Sequence, residues 1–284
     1  MIFKYNITET ITVKDFLIKE KIPSNVITSL KISNGQILVN DQTVTSIYLM
    51  KPGDNLEIVF PASDQGDNIT SVMGDFNILY EDSYLLIIDK DNNVATIPTR
   101  KHYDKSLANY VISYYKRKGI MANIHFVNRL DAPTSGIIVL AKNSYMLTLM
   151  QNTNMQKYYL LEVDGIMNTN SGTIEVGIEK DPNSIIKRKV TNEYINSKTI
   201  YKVLETKEST TIVEALLVTG KTHQLRVHFS HLGYPIIGDA LYYDEKFTNE
   251  DILHLHSYKL QFIHPILKKE IILTTYPKWY QKLP

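Results

Sequence analysis

The stretch His125-Phe126-Val127-Asn128-Arg129-Leu130-Asp131-Ala132-Pro133-Thr134-Ser135-Gly136 runs directly into Ile137-Ile138-Val139-Leu140-Ala141-Lys142. The second part is a short, unbroken apolar run and reads as a buried strand. The first part reads as a turn, because Pro, Thr, Ser and Gly cluster just ahead of that strand. An Arg and an acid two residues apart are therefore carried on a turn that rigid structure holds from behind, a common siting for chemistry. By composition alone, the same residues are an ordinary turn with a surface ion pair of little energetic worth.

Working outward, residues 78–82 and 84–90 predict consecutive strands around a turn. Ser106 is placed to cap a helix with Leu107, Val111 and Tyr114 on one face and Gly119 at its end. Downstream, a helix is expected over 144–152, followed by the strand Lys157-Tyr158-Tyr159-Leu160-Leu161-Glu162-Val163-Asp164-Gly165. Alternation puts Tyr159 and Leu161 on one face of it and Tyr158 and Leu160 on the other.

Further along lies Leu217-Val218-Thr219-Gly220-Lys221-Thr222-His223-Gln224-Leu225-Arg226-Val227-His228, continued by Gly238-Asp239 and Tyr242. Residues 212–218 read as a strand, Gly220 as a turn and Thr222 as the N-cap of a short helix. At 100° per residue, Leu225, Phe229 and Leu232 form a buried stripe, and His223, Arg226 and Ser230 share the opposite face, which presents Arg226 outward. His223, His228 and His231 do not share one helix face, and no acid lies among them, so no metal site is expected. The last patterned stretch, Leu253-His254-Leu255-His256-Ser257-Tyr258, reads as an amphipathic strand.

The totals bound the function. At 284 residues the chain has room for one large domain and a small one. With 43% hydrophobic and 21% charged residues it has the composition of a globular protein. No run approaches the roughly 18 apolar residues that span a bilayer, and Met1 to Asn6 lacks a signal-peptide core; a cytoplasmic location is the expectation. The absence of Cys excludes disulfides, thiolate catalysis and Cys-ligated metal. The net charge of +1 conceals segregation. Residues 61–97 carry seven acids against Lys90, whereas 98–118 carry Arg100, Lys101, Lys105, Lys116, Arg117 and Lys118 against Asp104. Charge parted in this way can create a nucleic-acid-facing surface on a near-neutral protein.

Residues 1–60 read as a small module. Thr12 caps one helix, Pro23-Ser24 opens a second that Gly35 ends, and a hairpin turns at Asn40-Asp41 before a last strand over 56–60. Residues 61–76 are turn-rich and acidic and read as a linker. Helix, helix and hairpin with Gly35-x-Ile37-x-Val39-Asn40 and Pro52-Gly53-Asp54 resemble an S4 RNA-binding domain. Its Lys residues are balanced by acids and it has no Arg, which leaves open an RNA-binding and a structural role.

From about residue 77 onward, Arg129-Leu130-Asp131-x-x-Thr134-Ser135-Gly136 with Ala141-Lys142, Lys157-x-Tyr159, the 217–228 stretch and the 253–265 stretch together resemble the RluA/RluD-type family of RNA pseudouridine synthases. The resemblance implies an α+β catalytic domain over 77–284, with a mixed, mainly antiparallel central sheet, flanking helices and an RNA-binding cleft. It implies an isomerase acting on uridines of rRNA or tRNA, with no cofactor and no metal; nothing in the sequence demands more than a monomer, which is the expectation. Asp131 is the implied catalytic carboxylate. Arg226 is its implied ionic partner in close contact, Tyr159 the aromatic wall against the base, Leu255 a pocket-lining residue and Arg129 a support for RNA whose uridine has left its stack. Three positions depart from the family pattern: Lys90-Asp91-Asn92-Asn93 replaces Lys-Pro-x-Gly, Asn128 replaces His, and Lys221 replaces Arg. Two alternatives stand beside this reading. One is an inactive RNA-binding protein on the same scaffold. The other is a two-carboxylate glycosidase-like hydrolase, for which Glu162 and Asp239 are the candidate second acids.

Overall fold

The computed structural model describes residues 2–20, 22, 35–60, 69–99, 103–243, 247–248 and 251–280. The N-terminal part gives β1 (Ile2–Asn6), β2 (Ile11–Thr12), α1 (Val13–Lys19), β3 (Gln36–Val39), β4 (Gln42–Thr43), β5 (Leu49–Met50) and β6 (Asn55–Val59). Four of these strands form an antiparallel sheet in the order β1-β6-β3-β4, and β2 pairs with β5. Thr12 caps α1 as expected, accepting from the Asp15 N–H. The Asn40-Asp41 turn has both residues at positive φ, the geometry a two-residue hairpin demands. The helix expected after Pro23 lies outside the described residues, as do 61–68 of the expected linker; residues 69–76 contain no helix or strand.

The remainder supplies β7 (Asn77–Glu81), β8 (Leu85–Lys90), α2 (Leu107–Lys118), β9 (His125–Phe126), β10 (Ser135–Ala141), α3 (Ser144–Gln151), β11 (Gln156–Asp164), β12 (Ser171–Lys180) and β13 (Arg188–Thr191). These are followed by β14 (Ser197–Thr206), β15 (Thr210–Leu217), α4 (Gln224–His231), β16 (Leu255–Ile263) and β17 (Glu270–Thr274). One sheet runs β13-β12-β14-β15-β11-β16-β10-β8-β7, with β17 added to β16 and β9 to β10. Within it β10 and β16 are parallel, and the other pairings are antiparallel. The class is α+β with a mixed, mainly antiparallel sheet. The expected caps of α2 are present: Ser106 and Asn109 form a reciprocal capping box, and Gly119 ends the helix at φ 65.

β10 is an interior strand paired with β8, β9 and β16, and all seven of its residues are buried. Ile137, Val139 and Ala141 point to one face of the sheet, where Leu85 and Ile87 of β8 join α3 and the N-terminal module in one core. Ile138 and Leu140 point to the other face, beneath α2, α4, Tyr159 and Leu255. The N-terminal module thus packs on the face turned away from Tyr159 and Leu255. An aromatic seam joins it there: Phe3 meets Tyr145 edge-on at 4.4 Å, Phe60 stacks on Tyr145 at 5.1 Å, and the Tyr5 and Tyr145 hydroxyls are 2.5 Å apart.

The start of β10 depends on Gly136. It has φ 107 and pairs with Ser257 across the parallel junction, where an added Cβ would run into the Ser257 backbone. Gly136→Ala therefore combines backbone strain with a backbone collision. It is expected to cost about 3 kcal/mol or more, read as a lowered urea midpoint; a midpoint within error of the parent would show that the junction yields freely.

Candidate active site

The turn before β10 is clamped through its backbone. Four successive carbonyls each accept a hydrogen bond: Leu130 from the Thr96 hydroxyl at 2.7 Å, Asp131 from the Thr134 N–H at 3.0 Å, Ala132 from the Lys90 ammonium at 3.1 Å, and Pro133 from the Asn92 amide at 2.7 Å. Lys90 is 1% exposed and also donates to the carbonyls of Asp91 and Val94, so its three protons meet three acceptors. Burial pushes its ammonium down to about 7, opposed first by the negative charge of Asp131. The departure from Lys-Pro-x-Gly is accommodated: Asn93 takes a left-handed backbone at φ 61, and Asn92 gains a donor that reaches the turn.

On the other side, Asn128 bridges to β10, accepting from the Val139 N–H at 2.8 Å and donating to the Ile137 carbonyl at 3.3 Å. Ser135 and His256 Nδ1 are hydrogen-bonded at 2.8 Å across the parallel junction. Asp131 is carried at the crest of this frame with its side chain 32% exposed.

The turn forms one wall of a cleft of about 650 Å³. Arg129, Asp131, Tyr159, Arg226 and Leu255, the five residues singled out from the sequence, all line it. They come from four separate segments: the turn, β11, α4 and the first residue of β16. Tyr159 is buried, and burial pushes its phenol up to about 12, with a hydrogen bond to Ser257 acting in the opposite direction. Leu255 is buried beside it in the same core, and Arg129 is exposed at the rim.

The geometry of α4 differs from the expectation in three respects. Its N-cap is His223, in a left-handed conformation at φ 58, and not Thr222. Gln224 orders this turn instead, accepting from the Lys221 N–H and the Thr219 hydroxyl while donating to the Lys198 carbonyl and Thr199. Leu232, expected in the buried stripe, is 37% exposed and ends the helix. Arg226 is not presented outward: its side chain is 6% exposed, because the loop after α4 folds over that face.

That loop supplies Asp239, which is 1% exposed. The guanidinium forks onto it, Nε to Oδ2 at 2.8 Å and Nη2 to Oδ1 at 2.6 Å, and reaches Asp131 only with Nη1, at 3.8 Å from Oδ2. Burial opposes the charge of Arg226, but Asp239 outweighs it and holds the group above its ordinary value. The Arg226–Asp131 approach expected from the sequence is therefore present but secondary. Asp131 feels a fixed cation without being consumed by a bidentate pair, and its oxygens remain open to the cleft.

Glu162 is occupied elsewhere, accepting from Lys207, Thr210 and His254. With Asp239 committed to Arg226, Asp131 is the one acid among the described residues lining the cleft, which leaves a two-carboxylate hydrolase without its second group. Among the described residues no group of three His, Asp or Glu is arranged to hold a metal ion. The sequence reading named Asp239, His223 and Tyr242 within the second signature, and Lys90 and Asn92 in the altered turn, but gave none of them its place around Asp131 and Arg226. Thr96 it did not single out, and no local pattern marks it.

A mainly antiparallel α+β sheet thus carries a lone acid on a clamped turn, with a forked arginine behind it and a buried tyrosine beside it. The model of the RNA pseudouridylate synthase family matches residues 84–231. The chain is 35% identical over 266 residues to the uncharacterized RNA pseudouridine synthase YjbO of Bacillus subtilis, covering 92% of this chain and 93% of the relative. It is 34% identical over 197 residues to the dual-specificity RNA pseudouridine synthase RluA of Vibrio cholerae, covering 66% of this chain and 78% of that one. Human RNA pseudouridylate synthase domain containing 1 superposes with a TM-score of 0.61 at 22% identity, over 72% of this chain and 85% of that one, a likeness of fold. The chain belongs to the RNA pseudouridylate synthase family.

The frame makes a stability forecast. Asp239→Ala leaves a buried guanidinium without its partner and is expected to cost about 3–5 kcal/mol. Thr96→Val strands the Leu130 carbonyl and is expected to cost about 1–3 kcal/mol. Equilibrium urea unfolding reads both; equal, negligible losses would mean that neither contact carries weight.

Proposed function

We propose that this cleft isomerises uridine to pseudouridine in rRNA or tRNA, with Asp131 as the essential carboxylate. The observation that carries the reading is the seating of Asp131: a lone acid on a rigid turn, half-open to a cleft, beside a cation that another acid holds in place. The reaction breaks the N1–C1′ bond, turns the base and joins C5 to C1′. The proton lost from C5 is matched by one gained at N1, so atoms and electrons balance without an external oxidant, reductant or cofactor.

Arg226 orients Asp131 from 3.8 Å away. Tyr159 offers a ring against which the uracil can lie, and such stacking contributes about 1–3 kcal/mol per base. Leu255 closes the apolar side. Arg129 stands at the mouth, where a cation can hold a phosphate or fill the gap left by an extruded nucleotide. Lys221 and Lys157 also line the cleft, and together with Arg129 they give it the positive edge an RNA strand requires.

Residues 77–284 form the catalytic domain in this reading. Residues 1–60 are an S4-like module whose place behind the sheet favours a structural role over direct contact with the target uridine. In this reading the acting unit is a monomer. An rRNA or tRNA substrate places it in the cytoplasm; no helix among the described residues is long and apolar enough to cross a membrane.

The deciding measurement is tritium release from RNA carrying [5-³H]uridine, with carbodiimide mapping of the modified positions. Asp131→Ala is expected to fold and to lose roughly a thousandfold or more in rate. Turnover of this variant at the parent rate would end the proposal, and so would a folded parent protein that modifies no uridine in either RNA.

A further inference from the structure

His223 lies at the edge of the cleft and has no part in the chemistry described so far. Its left-handed backbone at the head of α4 brings the ring inward, where it lines the cleft 3.7 Å from Asp131 Oδ2 through Nε2. Its other nitrogen, Nδ1, is 2.8 Å from the Tyr242 hydroxyl. That hydroxyl oxygen already accepts the Arg188 N–H at 2.8 Å. A phenol that is accepting on its oxygen has its own proton left to give, and Nδ1 is the neighbour placed to take it. Nδ1 is then an acceptor, and the hydrogen of the neutral imidazole lies on Nε2.

The surroundings keep the ring neutral. Burial lowers its proton affinity; Asp131 opposes this, Arg226 and Arg188 lower it further, and Asp239 raises it. At 3.7 Å the Nε2–H is too far from Asp131 for a normal hydrogen bond, so its donor capacity is free. A group placed beside Asp131 can receive it.

We infer that His223 is a catalytic hydrogen-bond donor, fixed as its Nε2–H form by Tyr242 and aimed at the O2 carbonyl of the target uracil. This rests on the proposed uridine isomerisation and names what meets the departing base. When the N1–C1′ bond breaks, its electron pair leaves with the uracil and spreads over N1, O2 and O4. Asp131 faces C1′ while the base turns, and the pair that re-forms the glycosidic bond comes from C5. O2 is the oxygen nearest the breaking bond, so a donor placed next to the carboxylate meets the charge where it develops. Tyr242 acts through His223 and is a positioning residue.

The test crosses enzyme variants with a modified substrate. RNA carrying 2-thiouridine at the target replaces O2 by sulfur, a weaker acceptor. Parent enzyme is expected to lose roughly 10- to 100-fold on it. His223→Ala is expected to lose a similar factor on ordinary uridine and almost nothing more on the thio substrate, and His223→Gln, which keeps an N–H, to recover part of the rate. Tyr242→Phe removes the hydroxyl that holds Nδ1 as an acceptor, so the ring is no longer fixed as its Nε2–H form. It is expected to lose part of the rate on uridine and to show a smaller thio penalty than the parent, a change in the ratio of the two substrates that simple loss of packing would not produce.

Losses that multiply independently in His223→Ala on the thio substrate would overturn the O2 contact. Parent-like rates for His223→Ala beside an inactive Asp131→Ala would overturn this inference alone, whereas an active Asp131→Ala would overturn the reading beneath it. Circular dichroism of each variant separates these outcomes from misfolding.

Discussion

Peptide carbonyls drawn away from water need donors, and the turn from Leu130, which is buried, through the half-buried Asp131, Ala132 and Pro133 places four of them in succession behind the cleft. An unpaired buried acceptor costs on the order of 1–3 kcal/mol, and partly buried ones add to that cost, a sizeable part of a typical domain's net stability. The chain meets this demand from one short segment, since Lys90, Asn92 and Thr96 supply three of the four donors. The segment leading out of β8 is thus a cradle for the turn, and Asp131 has little freedom to drift. The role proposed for Asp131, at the sugar and base of a bound uridine, would benefit from such a backing.

The same economy explains why the N-terminal module is bonded to the far face of the sheet. β10 is buried on both sides, and the side away from the cleft needs a cover as apolar as Ile137 and Val139 require. α3 covers part of it. Phe3, Phe60 and the rest of the module's core cover more, with Tyr145 as the common partner. The module therefore stabilises the strand that carries the turn, whatever else it does. Its balanced charge, without a single Arg in residues 1–60, fits that office better than phosphate binding.

Much of this was legible in the chain. The buried strand after Gly136, the capped helix from Ser106 to Gly119 and the paired strands before it all follow from local rules, and all are present. The five residues that converge on the cleft were named by resemblance and not by periodicity. What escaped the reading depends on long-range packing. Helical spacing puts Arg226 on the polar side of α4, and a helical wheel carries no information about a loop that folds back over that side. Asp239 sits in that loop, where no period marks it. Lys90 looks like a surface charge at a strand end until the turn it feeds, some forty residues away, closes over it. Asn128 gives the clearest case of chemistry replaced by structure: where the family has His, this chain has an amide that both donates to and accepts from β10.

The arrangement of Arg226 raises a question of design. A guanidinium forked directly onto Asp131 would hold it more tightly, yet both carboxylate oxygens would then be spent on the fork. Here Asp239 takes the fork and pins the guanidinium from behind, with two further backbone N–H groups, of Leu241 and Tyr242, completing its own coordination. The pair is almost fully buried, so the desolvation cost of the arginine is met by Asp239 before Asp131 enters. What reaches Asp131 is the remaining edge of a fixed cation at 3.8 Å, in a site where screening by water is reduced. The carboxylate gains orientation, and both of its oxygens stay open to the cleft. Moving the acid that neutralises the arginine away from the acid that faces the cleft separates the stabilising contact from the open one. That is why two carboxylates flank this guanidinium while only one faces the cleft.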